Sequence, residues 1–426
     1  MKKDSDFREY VRSHVFYKIT DIVMERGEGI YLYDIDGKKY IDTASGTFNM
    51  SMGYSHKEIL NAVNNQIGDL IHVSSSFQTK PISNLVKNII DITPKNLTKV
   101  HLRVSGGSEA NEGAIKISQY NTGNNGVIST FRSHLGQTMM MMNVSGNAFR
   151  KKEFPTVNAD ILNVPDAYCY RCFYNQKPET CNLLCVEAIN DILEYGSCGR
   201  IACFIIEPIS GNGGNIVPPK GYFKALKKLC EEHGIYLIFD EVQTGFGRIG
   251  EWFAADYFGV KPDIMTLAKG MSGIGFPMAA IVVDGKIKQF ASHDHTFTFG
   301  NNVLAATAVN KTIDILRTPG FLDHVKEVGK YITERLTKMQ ENHSYIGDVR
   351  GVGLMLGIEI IDSEGGKNVE LTNKIADRGM HYGMILRTSQ YGYGNVIKIR
   401  PSLIITMEQA EELCDVLEKV LNDFKL

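Results

Sequence analysis

The sequence predicts an α/β protein organised on a mostly parallel sheet, and three observations carry that expectation. The run 236–239 is short, continuously apolar and unalternating, and 264–267 is a similar strand-like stretch broken only by Thr266, as strands buried on both faces are. Stretches with helical spacing separate such runs; in 56–71 the apolar residues Ile59, Ala62, Val63, Ile67 and Leu70 recur at that period. At 426 residues and 43% hydrophobic, the chain can bury one large core and a smaller satellite domain.

Charge narrows the partners. Lys and Arg number 46 against 48 Asp and Glu, interspersed, for a net charge of −2, so neither nucleic acid nor an acidic membrane surface is expected as a partner. No apolar run reaches 18 residues and the N-terminus is charged and polar, which makes the cytoplasm the expected location. Eight cysteines in so long a chain are expected to be reduced thiols.

In chain order, residues 29–42 alternate apolar and polar on both sides of Asp36-Gly37, a hairpin signal. Ser105-Gly106-Gly107-Ser108 runs into a helical stretch. The glycine pair lets backbone approach an anion, Ser108 is placed to cap the helix, and the helix N-terminus offers free N–H groups, so this is a candidate phosphate cup. A strand over 127–130 leads to Phe131, His134 and Leu135. Cys169, Cys172, Cys181 and Cys185 follow, and four thiols at short spacing could close on zinc or remain free in a reducing compartment. Another apolar strand ends at Glu207-Pro208.

The strand 236–239 ends in Asp240-Glu241, and the strand 264–267 runs into Lys269-Gly270. In an open α/β sheet such ends face one crevice, where a carboxylate and an amine could meet a single ligand. That pair suits pyridoxal phosphate, which needs a lysine for its Schiff base and an acid opposite the ring nitrogen to keep it protonated.

Asp240-Glu241-Val242-Gln243-Thr244-Gly245-Phe246-Gly247-Arg248, with Lys269-Gly270 and Gly275-Phe276-Pro277 at their spacing, resembles the signature of the class III, or ornithine-type, aminotransferases of fold type I. The resemblance extends from Gly29 to Leu403. It implies a large domain with a mostly parallel sheet over 56–305, a smaller α+β domain over 306–426, and an N-terminal segment, 1–55, contributing to the small domain. It implies pyridoxal phosphate as cofactor, Lys269 and Asp240 as catalytic residues, and Gly107 and Ser108 at the phosphate. His134 takes the ring-stacking place where the family has an aromatic residue, or Phe131 does so in a shifted register. Val242 would pack on the opposite ring face, Gln243 would meet the phenolic oxygen, and Glu207 would sit as a gate beside the pocket. Phe48 and Asn49 fall in the segment lining the substrate side.

Thr298 matches the threonine that reaches the partner subunit's cofactor phosphate, which implies a homodimer; Val303 replaces the family's proline after Asn302. Lys398 stands where many members carry the arginine for the substrate carboxylate, and Arg400 lies two residues on, the same strand face by period two. An ammonium cannot grip a carboxylate in bidentate fashion, so acceptors other than simple keto acids stay open. The activity implied is ping-pong transfer from an amino-acid donor, glutamate foremost, to a keto acid or an amino-sugar or aminoglycoside aldehyde of antibiotic biosynthesis. Two alternatives share the motifs: an amino-acid racemase or epimerase with His134 as second acid, and a non-catalytic binding protein.

Overall fold

A computed structural model of the chain describes residues 5–17, 19–154, 160–289, 291 and 293–424. Fifteen strands fall in three sheets among these residues. They are β1 (Met24–Glu28), β2 (Tyr31–Asp34), β3 (Lys39–Asp42), β4 (Leu97–His101), β5 (Gly126–Thr130), β6 (Ile161–Val164), β7 (Ile201–Ile206) and β8 (Tyr236–Asp240). The chain continues through β9 (Ile264–Leu267), β10 (Ala280–Asp284), β11 (Ile346–Val352), β12 (Met355–Ile360), β13 (Met384–Ile385), β14 (Arg387–Thr388) and β15 (Val396–Ile399).

The seven-stranded sheet runs β4-β10-β9-β8-β7-β5-β6. Neighbours from β6 to β9 are parallel, and β10 is antiparallel to both β9 and β4. Both faces are covered, which is why the strands read as unbroken apolar runs. Along β8, Leu237 and Phe239 join one core cluster while Ile238 joins the other. On the first face Phe223, from the helix Tyr222–Glu232, meets Phe239 edge to face at 4.9 Å. Ala110, Ala114 and Ile117 of the helix Gly107–Thr122 cover the second. Emptying such a position by Phe to Ala costs about 3–5 kcal/mol.

The hairpin expected at Asp36-Gly37 is β2–β3. Asp34 Oδ1 accepts from the Asp36 and Lys38 amides at 3.1 and 2.9 Å, and Gly37 takes φ +81°, which a side chain would resist. This sheet is completed by β13, parallel to β3, so residues 24–42 pair with the C-terminal region. The third sheet runs β11-β12-β15-β14. The division expected between 305 and 306 falls inside the helix Val303–Leu316, which packs on the helices Lys57–Asp69 and Lys80–Ile92. The next helix, Phe321–Asn342, packs on β11 and the C-terminal helix Met407–Asn422, so the change of neighbours comes after Leu316. The reason is that an apolar helix face is set by its partners, and a sequence pattern alone does not show which sheet it covers. Among the described residues no helix is long and apolar enough to cross a membrane.

Candidate active site

Four candidate residues stand just past four adjacent parallel strands. His134 follows β5, Glu207 follows β7, Asp240 closes β8 and Lys269 follows β9, so they lie across the carboxyl edge of the sheet in that order. A cavity of about 310 Å³ opens there, and Gly107, Ser108, His134, Asp240, Val242 and Lys269 all line it.

Asp240 is buried. Its Oδ2 accepts from Asn111 Nδ2 at 2.7 Å and its Oδ1 from the Val242 amide at 3.0 Å. Burial pushes its carboxyl above the ordinary carboxylate value, against the Lys269 charge and those two donors. Asn111 is itself fixed by Thr266, whose hydroxyl donates to Asn111 Oδ1 at 2.6 Å, and Thr266 is the residue paired with Asp240 across β8–β9. Sequence reasoning assigned Asn111 no role. Its signal was available: one turn after Ser108, it faces inward on the same helix.

Lys269 adopts φ +44°, a strained setting for a non-glycine residue and one that recurs at functional sites. Burial pushes its amine below the ordinary lysine value, while Asp240 and Glu207 pull it up.

At the other end of the cavity the helix begins at Gly107 with Gly106 as N-cap and no side-chain cap. Ser108 is therefore inside the first turn and does not cap the helix; its Oγ accepts from the Gln137 amide at 3.0 Å. The helix starts two residues earlier than a capping serine would require, which leaves its first N–H groups and the hydroxyl at the cavity. A Cβ at Gly107 would lie 3.1 and 3.3 Å from the two Val242 methyls, so the cup passes against the residue expected on the ring face.

His134 lines the cavity, whereas Phe131 is 38% exposed and packs edge-on against Phe173 at 5.7 Å; the shifted register is corrected accordingly. The His134 amide donates to Glu207 Oε1 at 2.9 Å, and its Nδ1 is buried with no protein partner. Burial first, then the charges of Arg150, Lys269 and Lys398, push the imidazole down to about 3, so it is neutral at physiological pH.

Behind the cavity wall lies a second layer. Glu207 Oε2 accepts from the Gly211 amide at 3.0 Å and from Gln243 Nε2 at 3.3 Å, while Gln243 Oε1 accepts from Arg400 Nη1. Burial and then the nearby Asp240 raise Glu207 to about 7. The Arg400 guanidinium lies 3.3 Å over the Phe48 ring, with Lys398 Nζ 5.3 Å from the same ring. Phe48 is thus a support for the two cations, and its neighbours Thr47 and Asn49 line the cavity. Thr298 is exposed and away from the cavity lining.

Cys169, Cys172, Cys181 and Cys185 line one small crevice, all as free thiols. Among the described residues no group of three or more His, Cys, Asp or Glu is arranged to hold a metal ion, so the zinc tetrahedron allowed by the spacing is not formed. Burial, and then the neighbouring cysteines, raise the Cys169 thiol and push Cys185 up to about 11.

The donor set fits pyridoxal phosphate. A buried carboxylate whose protonation burial favours would regain its charge beside a protonated ring nitrogen, a helix N-terminus faces the cavity, and an amine of lowered basicity stands on the neighbouring strand. The model of the class III aminotransferases matches residues 13–421. The chain is 33% identical to the leucine/methionine racemase of Thermococcus litoralis, over 99% of this chain and 96% of that protein. It is 33% identical to the acetylornithine aminotransferase of Methanothermobacter thermautotrophicus, over 96% and 95%. The solved ω-transaminase of Pseudomonas jessenii in complex with PMP superimposes with a TM-score of 0.92 at 26% identity over 98% of both chains. The chain belongs to the class III aminotransferases and is a pyridoxal-phosphate-dependent transaminase of fold type I.

Proposed function

We propose that this transaminase carries an amino group from an amino-acid donor, glutamate foremost, to a carbonyl acceptor, in two half-reactions at one site. The observation that carries the reading is the placement of Asp240 and Lys269 at the ends of adjacent parallel strands, facing one cavity. The cofactor, when bound, supplies an electron sink for the substrate α-carbon. Lys269 Nζ, kept from permanent protonation by its burial, takes the α-proton and returns it to the reacting system. Asp240 holds the proton on the ring nitrogen, and Asn111 and the Val242 amide aim its oxygens. The Gly107–Ser108 turn would receive the phosphate and Val242 and His134 would flank the ring, all four lining the cavity, while Gln243, tied to Glu207 behind the wall, would meet the ring oxygen. Arg400 and Lys398 offer their charge to the substrate carboxylate; Arg400 Nε and Nη2 are buried without a partner.

The exposed Thr298 supports a homodimer in which its hydroxyl completes the partner subunit's phosphate site. All eight cysteines are free, which supports a reducing, cytoplasmic setting. Acceptors remain of two kinds, keto acids and amino-sugar aldehydes, because Lys398 replaces a bidentate grip by a point charge.

A second reading, racemisation, is favoured by the Thermococcus litoralis relative, while the neutral His134 does not carry the charge its role as second acid would use. One experiment tests both. Incubated with an amino acid in deuterated water and no acceptor, a transaminase stops at one equivalent of keto product and resumes when acceptor is added. Deuterated enantiomer accumulating without acceptor would replace transfer by racemisation.

A further inference from the structure

No acidic group among the described residues pairs with the charge of Arg150. Among the described residues its guanidinium makes no ion pair and no hydrogen bond, and its Nε is buried without a partner. Aromatic rings hold it instead. Its guanidinium carbon lies 4.0 Å from the centre of the Tyr391 ring and 5.3 Å from that of Phe149. A guanidinium held against a ring keeps its Nη donors for a ligand and loses little freedom when one binds.

The support is built, and it leads to the active site. Tyr391 meets the cavity-lining His134 edge-on at 6.4 Å, and Phe149 stacks on Tyr393 at 5.1 Å. Gln390 and Tyr391 take φ +50° and +52°, positions unfavourable for side chains other than glycine, and the Gln390 amide donates to the Asn212 carbonyl at 3.2 Å. Of the charges near His134, that of Arg150 acts on it most strongly, ahead of Lys269 and Lys398. The outer side of the site therefore gathers Arg150, Lys398 and Arg400, and the acid that acts on the last two is Glu207, already engaged with three donors. Such an excess of cation with open donors calls for an anion from outside.

We infer that Arg150, held by Tyr391, is a specificity residue that binds a carboxylate of the substrate at the mouth of the site, so that the enzyme is built for substrates with an anionic group and against neutral amines. The inference rests on the transaminase reading. A carboxylate fits better than a phosphate monoester because the coplanar donors of a guanidinium match two coplanar oxygens.

The test compares L-glutamate with 1-phenylethylamine as donors for the first half-reaction in holoenzyme, wild type and Arg150→Gln. Losing a charge-assisted hydrogen bond typically lowers affinity by about ten- to a hundredfold. We expect KM for glutamate to rise at least tenfold with kcat within threefold, and the glutamate-to-amine ratio of kcat/KM to fall at least tenfold. Arg150→Lys should restore part of that ratio, and Tyr391→Leu should lower it less than Arg150→Gln does. Cofactor absorbance checks that each variant is folded and loaded. An equal loss for both donors, or an unchanged KM for glutamate, overturns the inference and leaves transamination standing. Wild-type turnover of neither donor overturns glutamate as the donor and the inference with it.

Discussion

Phe48 and Arg400 meet face to face across the substrate side, the guanidinium 3.3 Å above the ring. They come from opposite ends of the chain, and Phe48 is held at φ +68°, so local strain is accepted to place the ring. The consequence is a fixed cation with two unpaired nitrogens. A desolvated cation–π contact is worth about 0.5–2 kcal/mol. Phe48→Leu should therefore raise KM for an amino-acid donor by roughly two- to thirtyfold, while cofactor absorbance stays at the wild-type level. Loss of the cofactor in this variant would show that Phe48 acts on the ring side.

Lys269 has the most demanding prediction. Lys269→Ala should abolish the absorbance of covalently bound pyridoxal phosphate and lower turnover by several orders of magnitude, because no other amine lines the cavity among the described residues. Turnover within tenfold of wild type would remove the lysine from the chemistry.

The central stretch was legible in sequence because its information is local. Strand 264–267 is recognisable from three apolar residues and a β-branched threonine, and Asp240 and Lys269 are placed by being at or next to strand ends. The hairpin at Gly37 was legible for the same reason. Thr266 and Arg150 were not, since each acts through a partner on another element and carries no spacing of its own, and Asn111 had only its one-turn offset from Ser108 to mark it. The cysteine spacing was visible but ambiguous, because thiol spacing does not say how the intervening loop folds. Ser108 was placed in the right turn, but the cap read for it is not formed, since a shift of two residues in the helix start separates a cap from a first-turn hydroxyl.

Asn111 tests whether the aim of Asp240 matters as much as its charge. A hydrogen bond to an ionised partner contributes about 1.5–3 kcal/mol, and Asn111→Ala also frees the Leu135 carbonyl that Asn111 holds at 2.7 Å. The variant should bind pyridoxal phosphate at least tenfold more weakly by absorbance titration. Thr266→Val removes only the 2.6 Å bond that orients the amide and should show a smaller loss of the same kind. Unchanged affinity in both would mean that burial alone fixes Asp240.

Glu241, beside the catalytic aspartate, links the site to pH without touching the cavity. It is 1% exposed; its oxygens accept from the Ala254 and Ala255 amides at 3.0 and 2.8 Å and from the Thr244 hydroxyl. Burial outweighs these donors and raises its carboxyl from 4.5 to about 7. A folded-state value above the unfolded one means the fold favours the protonated form, so this contribution is fully present below pH 4.5 and is lost as pH rises to about 7. The slope is at most about 1.4 kcal/mol per pH unit. Glu241→Gln cannot titrate, whatever the replacement does to the absolute stability. Thermal midpoints measured on cofactor-free protein from pH 4.5 to 8 should therefore fall less steeply in the variant than in the wild type up to about pH 7, and run parallel above it. Parallel curves throughout would mean that Glu241 is ionised in the fold at low pH, its three donors outweighing its burial.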